Sequence, residues 1–185
     1  HHTAVIYAAV KSGPPCTFGP LTIVGLNEVA EKDVRRLVTF QGGAPYSSRS
    51  LLISQNTLFD LGAFDAVEFE PDRSDPSRTA VPIKLTLRES KLRRVQAGPG
   101  FLFDPLRNDA HVTMAWEHRN LFGGLRRFRY ELRPSLLFKP GFFSASHVRP
   151  GFRTSAELHQ PGFLEPRTNG TVGTALGLYP DPVNE

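Results

Sequence analysis

Residues 117–134 read EHRNLFGGLRRFRYELRP, and they decide the fold. Beyond the paired glycines the chain alternates strictly, with Phe128, Tyr130 and Leu132 on one side and Arg127, Arg129, Glu131 and Arg133 on the other. A period of two is that of a β-strand. The apolar side of such a strand needs a core or a bilayer, while four charges along the other side need water.

The flanking segments repeat the design. KLRRVQAGPGFLF sets Val95, Ala97, Phe101 and Phe103 on one face, and AHVTMAWEH sets Ala110, Val112, Met114 and Trp116 against His111, Thr113, Ala115 and Glu117. HVRPGFRTSAELH opposes Val148, Phe152, Ala156 and Leu158 to Arg149, Arg153, Glu157 and His159; TVGTALGLY carries Val172, Leu176 and Leu178. DPLRND and NLFGG read as short turns, SLLFKPGFFSAS and QPGFLEPRTNG as longer connections. Successive strands joined by hairpins form the meander of an up-and-down barrel wall. Trp116, Tyr130, Phe152 and Tyr179 are expected near strand ends, where an aromatic girdle sits. A soluble sandwich alternates equally well, but five strands cannot close a barrel of at least about eight. Partners for the exposed edges must come from elsewhere.

Upstream the periodicity changes. LTIVG (Leu21 to Gly25) reads as a strand and EVAEKDVRRLVTF as a helix with Ala30, Val34, Leu37 and Val38 on one face and Asn27 as its N-cap. Ser47 or Ser48 caps a second helix, SRSLLISQNTLFDLG, ended by Gly62, with Leu51, Leu52, Leu58, Phe59 and Leu61 forming a broad apolar face. AFDAVEFEP and VPIKLTLRE then alternate as strands. The order strand, helix, helix, strand, strand buries two helices on one face of a small sheet.

Composition bounds the function. The 185 residues are 39% hydrophobic and 22% charged, which suits one or two folded domains. No run approaches the roughly 18 to 20 apolar residues of a membrane helix, whereas a membrane barrel, whose amphipathic strands are only about 9 to 11 residues long, is not excluded. The net charge of +4 is spread along strands instead of clustering, so nucleic acid is not indicated as a partner. Cys16 stands alone, which excludes an internal disulfide. His111 and Glu117 share a face but lie about 20 Å apart at the rise of a strand, too far for one ion. No nucleophile motif or phosphate-binding loop is present, so no catalytic residue, metal or cofactor is assigned. The chain lacks an initiating methionine and reads as a piece of something longer.

On these residues the chain resembles the BamA and TamA superfamily of bacterial outer-membrane assembly proteins, in which periplasmic POTRA domains precede a transmembrane barrel. FGPLTIVGLNEV and GGAPYSSRSLLISQNTLFDLGAFDAVEFEP resemble a POTRA domain, GPGF at Gly98 to Phe101 the first barrel strand, RNLFGG the first periplasmic turn and LHQPGFLEPR the next. The resemblance implies three parts: residues 1–12 as the last strand of a preceding POTRA, 17–90 as an α+β POTRA, and 91–185 as the N-terminal strands of an antiparallel outer-membrane barrel. VRPGF at Val148 to Phe152 lies too early, within a strand, to stand for the family's Val-Arg-Gly-Phe loop motif.

What the resemblance implies for function is non-enzymatic insertion of outer-membrane proteins. The POTRA edge strand Ala66, Val67, Glu68, Phe69 and Glu70 is the expected client-binding edge. Val95, Gly98, Pro99, Gly100, Phe101 and Phe103 form the expected lateral gate, weakened by glycine and by proline's missing donor. Arg119, Asn120, Leu121, Phe122, Gly123 and Gly124 form the periplasmic turn. Implied partners are unfolded outer-membrane proteins, the lipid bilayer, and accessory lipoproteins or a TamB-like periplasmic protein. Two alternatives stand: a two-partner secretion pore of the same superfamily, and a soluble β-rich module binding acidic ligands through Arg126, Arg127, Arg129 and Arg133.

Overall fold

The computed structural model describes residues 15–75, 77–104, 108–139, 147–165 and 168–178. The expected strand at residues 1–12 and Tyr179 lie outside them. Two sheets are built in chain order. The first comprises β1 (Thr17–Val24), α1 (Glu31–Leu37), α2 (Ser48–Asp60), β2 (Phe64–Pro71) and β3 (Ala80–Glu89). The second is a meander of β4 (Arg93–Phe103), β5 (Asn108–His118), β6 (Arg127–Lys139), β7 (His147–Gln160) and β8 (Gly170–Leu178).

In the first sheet the order is β1-β3-β2, with β1 parallel and β2 antiparallel to the central β3. Ile83, Leu85 and Leu87 alternate on β3 and are buried beneath the helices, packed with Val34 and Leu37 of α1 and Leu51 and Leu58 of α2. At one end Phe18 stacks on Phe40 with ring centroids 4.2 Å apart, and Tyr46 lies beside them.

Both helices differ from their sequence expectation. Ser47 caps α2 by accepting from the Ser50 N–H, and Gly62 follows its end. Yet Leu52 and Phe59 are more than half exposed, so the apolar face of α2 narrows to Leu51 and Leu58 about the buried Ser54, with Leu61 just past its end packed against the same core. Asn27 does not cap α1: the helix starts only at Glu31, its N-cap is Ala30, and the Asn27 N–H donates to Glu89 from the end of β3.

The second sheet runs β4-β5-β6-β7-β8, antiparallel throughout. Residues 135–139, expected in a connection, extend β6 to Lys139. Phe152 lies well inside β7 instead of at a rim, paired with Pro134 and Leu178. Every strand keeps its alternation in register, so one face collects Arg94, Glu117, Arg129 and Glu157 in a single cross-strand row, while the other collects Val95, Trp116, Tyr130 and Leu158 among its members. Along the apolar face Val95, Val112, Met114, Leu136, Val148, Val172 and Leu176 are all exposed. So large a contiguous apolar surface marks an interaction surface for another apolar phase.

Candidate functional site

Three features carry the candidate function: the outer edges of the two sheets, the junction between them, and the charged face of the wall.

On the first sheet β2 is an edge, as expected, and the backbone shows how accessible it is. The Asp72 N–H bonds to Pro82 O, and the register to β3 is continuous from Ala66, so the even residues of β2 bond inward to β3 and the odd residues point outward. Of the outward groups, Pro71 has no N–H and Val67 O already accepts from Gln55 Nε2 of α2 at 2.9 Å. Glu70 pairs with Lys84 at 3.1 Å on the solvent face. The edge formed by Ala66, Val67, Glu68, Phe69 and Glu70 is thus blunted by proline, by charge and by a side-chain cover.

On the second sheet β4 is an edge, and its open side is where Gly98, Pro99 and Gly100 bear on the expected gate. Pairing with β5 is continuous from Arg93 to Phe103, with no bulge. The Arg119 N–H bonds to Leu92 O in the same register, so the even residues of β4 bond inward and the odd ones face outward. Proline's missing donor therefore falls on the outer side. Arg93, Val95 and Ala97 direct their N–H and C=O groups to that side, and Pro99 interrupts the row. Gly100 serves a different need, because a Cβ there would lie 2.3 Å from His111 Nε2. The His111 ring occupies the space over Gly100, with Nδ1 2.6 Å from Asp109 Oδ1 and 3.0 Å from the Arg133 guanidinium.

The junction is built by the turn at Arg119, Asn120, Leu121, Phe122, Gly123 and Gly124, with Leu125 added to it. The Arg119 guanidinium donates to Gly62 O and lies 3.4 Å from Ser90 Oγ, while its Nε pairs with Glu117 at 2.6 Å. Asn120 Nδ2 reaches Glu28 O at 3.4 Å. The Gly124 N–H donates to Asp33 Oδ2 at 3.0 Å, and Arg36 donates to Gly124 O at 3.3 Å. Leu125, 2% exposed, is part of the same buried cluster as Val29, Val34, Leu37, Leu58 and Ala63. Sequence reading found the turn but not Leu125, since nothing local marks a leucine that is buried in another domain. Beyond β7, Pro161 and Asn169 share a groove with Ile53, Thr57 and Leu61 along and just past the C-terminal half of α2.

Charges on the polar face form a network. Glu117 accepts from Arg119 and lies 3.9 Å from Arg129, which also pairs with Glu131 at 3.2 Å. Among the described residues no group of three or more His, Cys, Asp or Glu side chains is arranged to hold a metal ion.

Comparison with known proteins places these features. Residues 16–90 match the POTRA family, described as surface antigen variable number repeat. No curated protein sequence matches. Among solved structures, the crystal structure of BamA from Haemophilus ducreyi lacking POTRA domains 1-3 superposes with a TM-score of 0.53 at 14% identity, over 89% of this chain and 36% of that one. The chain therefore spans about a third of the length of that BamA structure. Residues 16–90 thus carry the POTRA match, and together with the strands that follow they share the fold of part of that BamA structure.

Proposed function

We propose that this chain is the junction of an outer-membrane protein assembly factor, with its POTRA in the periplasm and its strand wall in the bacterial outer membrane. The role is non-enzymatic: unfolded outer-membrane proteins gain strand pairing by adding to an exposed backbone edge.

The dimensions of the wall support a membrane setting. Phe128 and Phe138 bracket the apolar face of β6. Their separation along the strand is about 34 Å at 3.4 Å per residue. With a strand tilt of about 40°, its height is about 26 Å, against an apolar band of about 25 Å in known barrels. Trp116 and Phe128 pack edge to face at 5.7 Å at the POTRA end of that band, as an interfacial aromatic girdle does. The exposed apolar face weighs against a soluble binding module.

The observation that carries the templating role is the outer side of β4, where Arg93, Val95 and Ala97 present backbone groups next to the donorless Pro99. By contrast β2 is blunted, so the first client contact is assigned to β4 and a subsidiary one to the β2 edge. The test is reconstitution of the full-length protein in lipid vesicles with a urea-unfolded barrel protein as client. Faster client folding, with disulfide trapping of the client by cysteine at Val95 or Ala97, supports the assignment. An unchanged folding rate and no trapped client refute it.

A further inference from the structure

The turn that joins β5 to β6 has an unusual backbone. Phe122, Gly123, Gly124 and Leu125 have φ values of 56°, 75°, 71° and 57°, four consecutive residues in the left-handed region. Glycine adopts this freely, whereas a bulky side chain does so at a cost and is held there by surrounding structure. Phe122 receives nothing in return from packing, since it is 88% exposed. Leu125 is buried in the core of the POTRA. Inside the turn the Leu125 N–H donates to Asn120 Oδ1 at 3.0 Å, and from the POTRA side the inserted leucine and the bonds of Asp33 and Arg36 to the N–H and C=O of Gly124 add the contacts that offset its strain when docked.

We propose that this turn is a strained clip that fixes the POTRA to the strand wall, and that withdrawal of Leu125 from the POTRA core and relaxation of the turn occur as one event. The POTRA surface formed by Val29, Val34 and Leu37, with Asp33 and Arg36 at its rim, acts as the receptor for the clip. It reads one backbone N–H, one backbone C=O and one leucine side chain. Two discrete arrangements follow, docked and released, because a leucine half-withdrawn leaves both a void and a strained backbone, and close-packed interiors do not deform continuously. The bonds from Arg119 to Gly62 O and Ser90 Oγ and from Asn120 to Glu28 O lie at the root of the same turn and close with it. This device concerns the junction alone and holds whichever client the β4 edge takes.

The two non-glycine residues of the clip make opposite predictions. Leu125→Ala removes the inserted side chain and leaves the strain at that position, so it should release the POTRA. Phe122→Gly removes strain and loses no packing, so it should hold or tighten docking. The measurement is the distance distribution between spin labels at Glu68→Cys on β2 and Thr174→Cys on β8, in the full-length protein in lipid nanodiscs with Cys16→Ser. The parent should show one dominant distance. Leu125→Ala should raise the released population about tenfold or more, as expected for deletion of a buried leucine side chain, and Phe122→Gly should not raise it. A Leu125→Ala distribution identical to the parent overturns the proposal, as does a Phe122→Gly variant that releases the POTRA. Should Leu125→Ala fail to fold, Asp33→Ala, which removes the acceptor of the Gly124 N–H, replaces it: release in the same direction supports the clip, and an unchanged distance overturns it.

Discussion

The carboxylate of Glu89, at the end of the central POTRA strand, accepts a hydrogen bond from the backbone N–H of Val29 at 2.9 Å, and the N–H groups of Asn27 and Glu28 converge on the same carboxylate. One side chain thereby fixes the loop between β1 and α1. Partial burial acts to raise the Glu89 pKa, but the three backbone donors outweigh it and hold the carboxyl below its ordinary value. Glu89→Ala should cost about 1–3 kcal/mol in urea unfolding of the POTRA, as for hydrogen bonds to a charged group, with solvent exposure keeping it toward the low end. The pH dependence has a definite sign. A carboxyl whose folded pKa lies below its unfolded value of about 4.3 contributes fully above that value and loses its contribution as pH falls through the folded pKa. The Glu89→Ala difference should therefore be constant near neutrality and shrink on acidification below about pH 4 to 5. A difference that grows on acidification contradicts this account.

A second prediction concerns Ser54, fully buried on α2, whose Oγ accepts from the Thr39 N–H at 3.0 Å and lies 2.9 Å from the Thr39 hydroxyl. Ser54→Ala leaves the Thr39 N–H without that acceptor. The expected loss of stability is about 1–3 kcal/mol, the range for an orphaned buried donor. Chemical denaturation should register it, and a variant as stable as the parent would show that water replaces the hydroxyl.

Gly100 and His111 make a pairwise test across β4 and β5. Since a Cβ at 100 would meet the imidazole at 2.3 Å, and that imidazole is held by Asp109 and Arg133, Gly100→Ala must displace the ring or bend the strand. Overpacking of this kind costs about 1–3 kcal/mol. In the double variant with His111→Ala the clash is gone, so the two changes should be strongly non-additive. Additive unfolding free energies in lipid vesicles would remove His111 as the reason for the glycine.

Much of this architecture was legible because its signals are local. Alternation over Val95 to Phe103 or Arg127 to Arg133 states which side chains share a face, and the structure keeps those faces intact. SLLFK was obscured because Leu136 and Leu137 are both apolar: Leu136 joins the exposed apolar face, while Leu137 is buried on the polar face beside Gly151. What remained hidden depends on residues far apart in sequence. Asn27 looked like a helix cap because Glu89, which takes its N–H, lies 62 positions away. The cover of Gln55 over Val67 O, the outward aim of Pro99 and the insertion of Leu125 likewise follow from tertiary register, which no local pattern contains.

The assignment of solvents to the two faces of the wall yields a prediction from neighbouring residues of β5. Met114 lies on the apolar face, paired with Leu132 and Ala97, in the middle of the band between Phe128 and Phe138. Thr113 adjoins it in sequence but points to the face that carries Arg129 and Glu117. If lipid covers the apolar face, Met114→Arg should destabilise the folded barrel by about 2–4 kcal/mol, the cost of arginine near a bilayer midplane, whereas Thr113→Arg adds a charge where charges are already solvated. Reversible unfolding of the full-length protein in vesicles measures both. Equal effects at the two positions would mean that neither face meets hydrocarbon. A larger effect at Thr113 would place the core on the charged side, which the row of Arg94, Glu117, Arg129 and Glu157 makes physically costly, because buried ions lose several kcal/mol of hydration each. The asymmetry between two adjacent residues thus tests the membrane setting without relying on client binding.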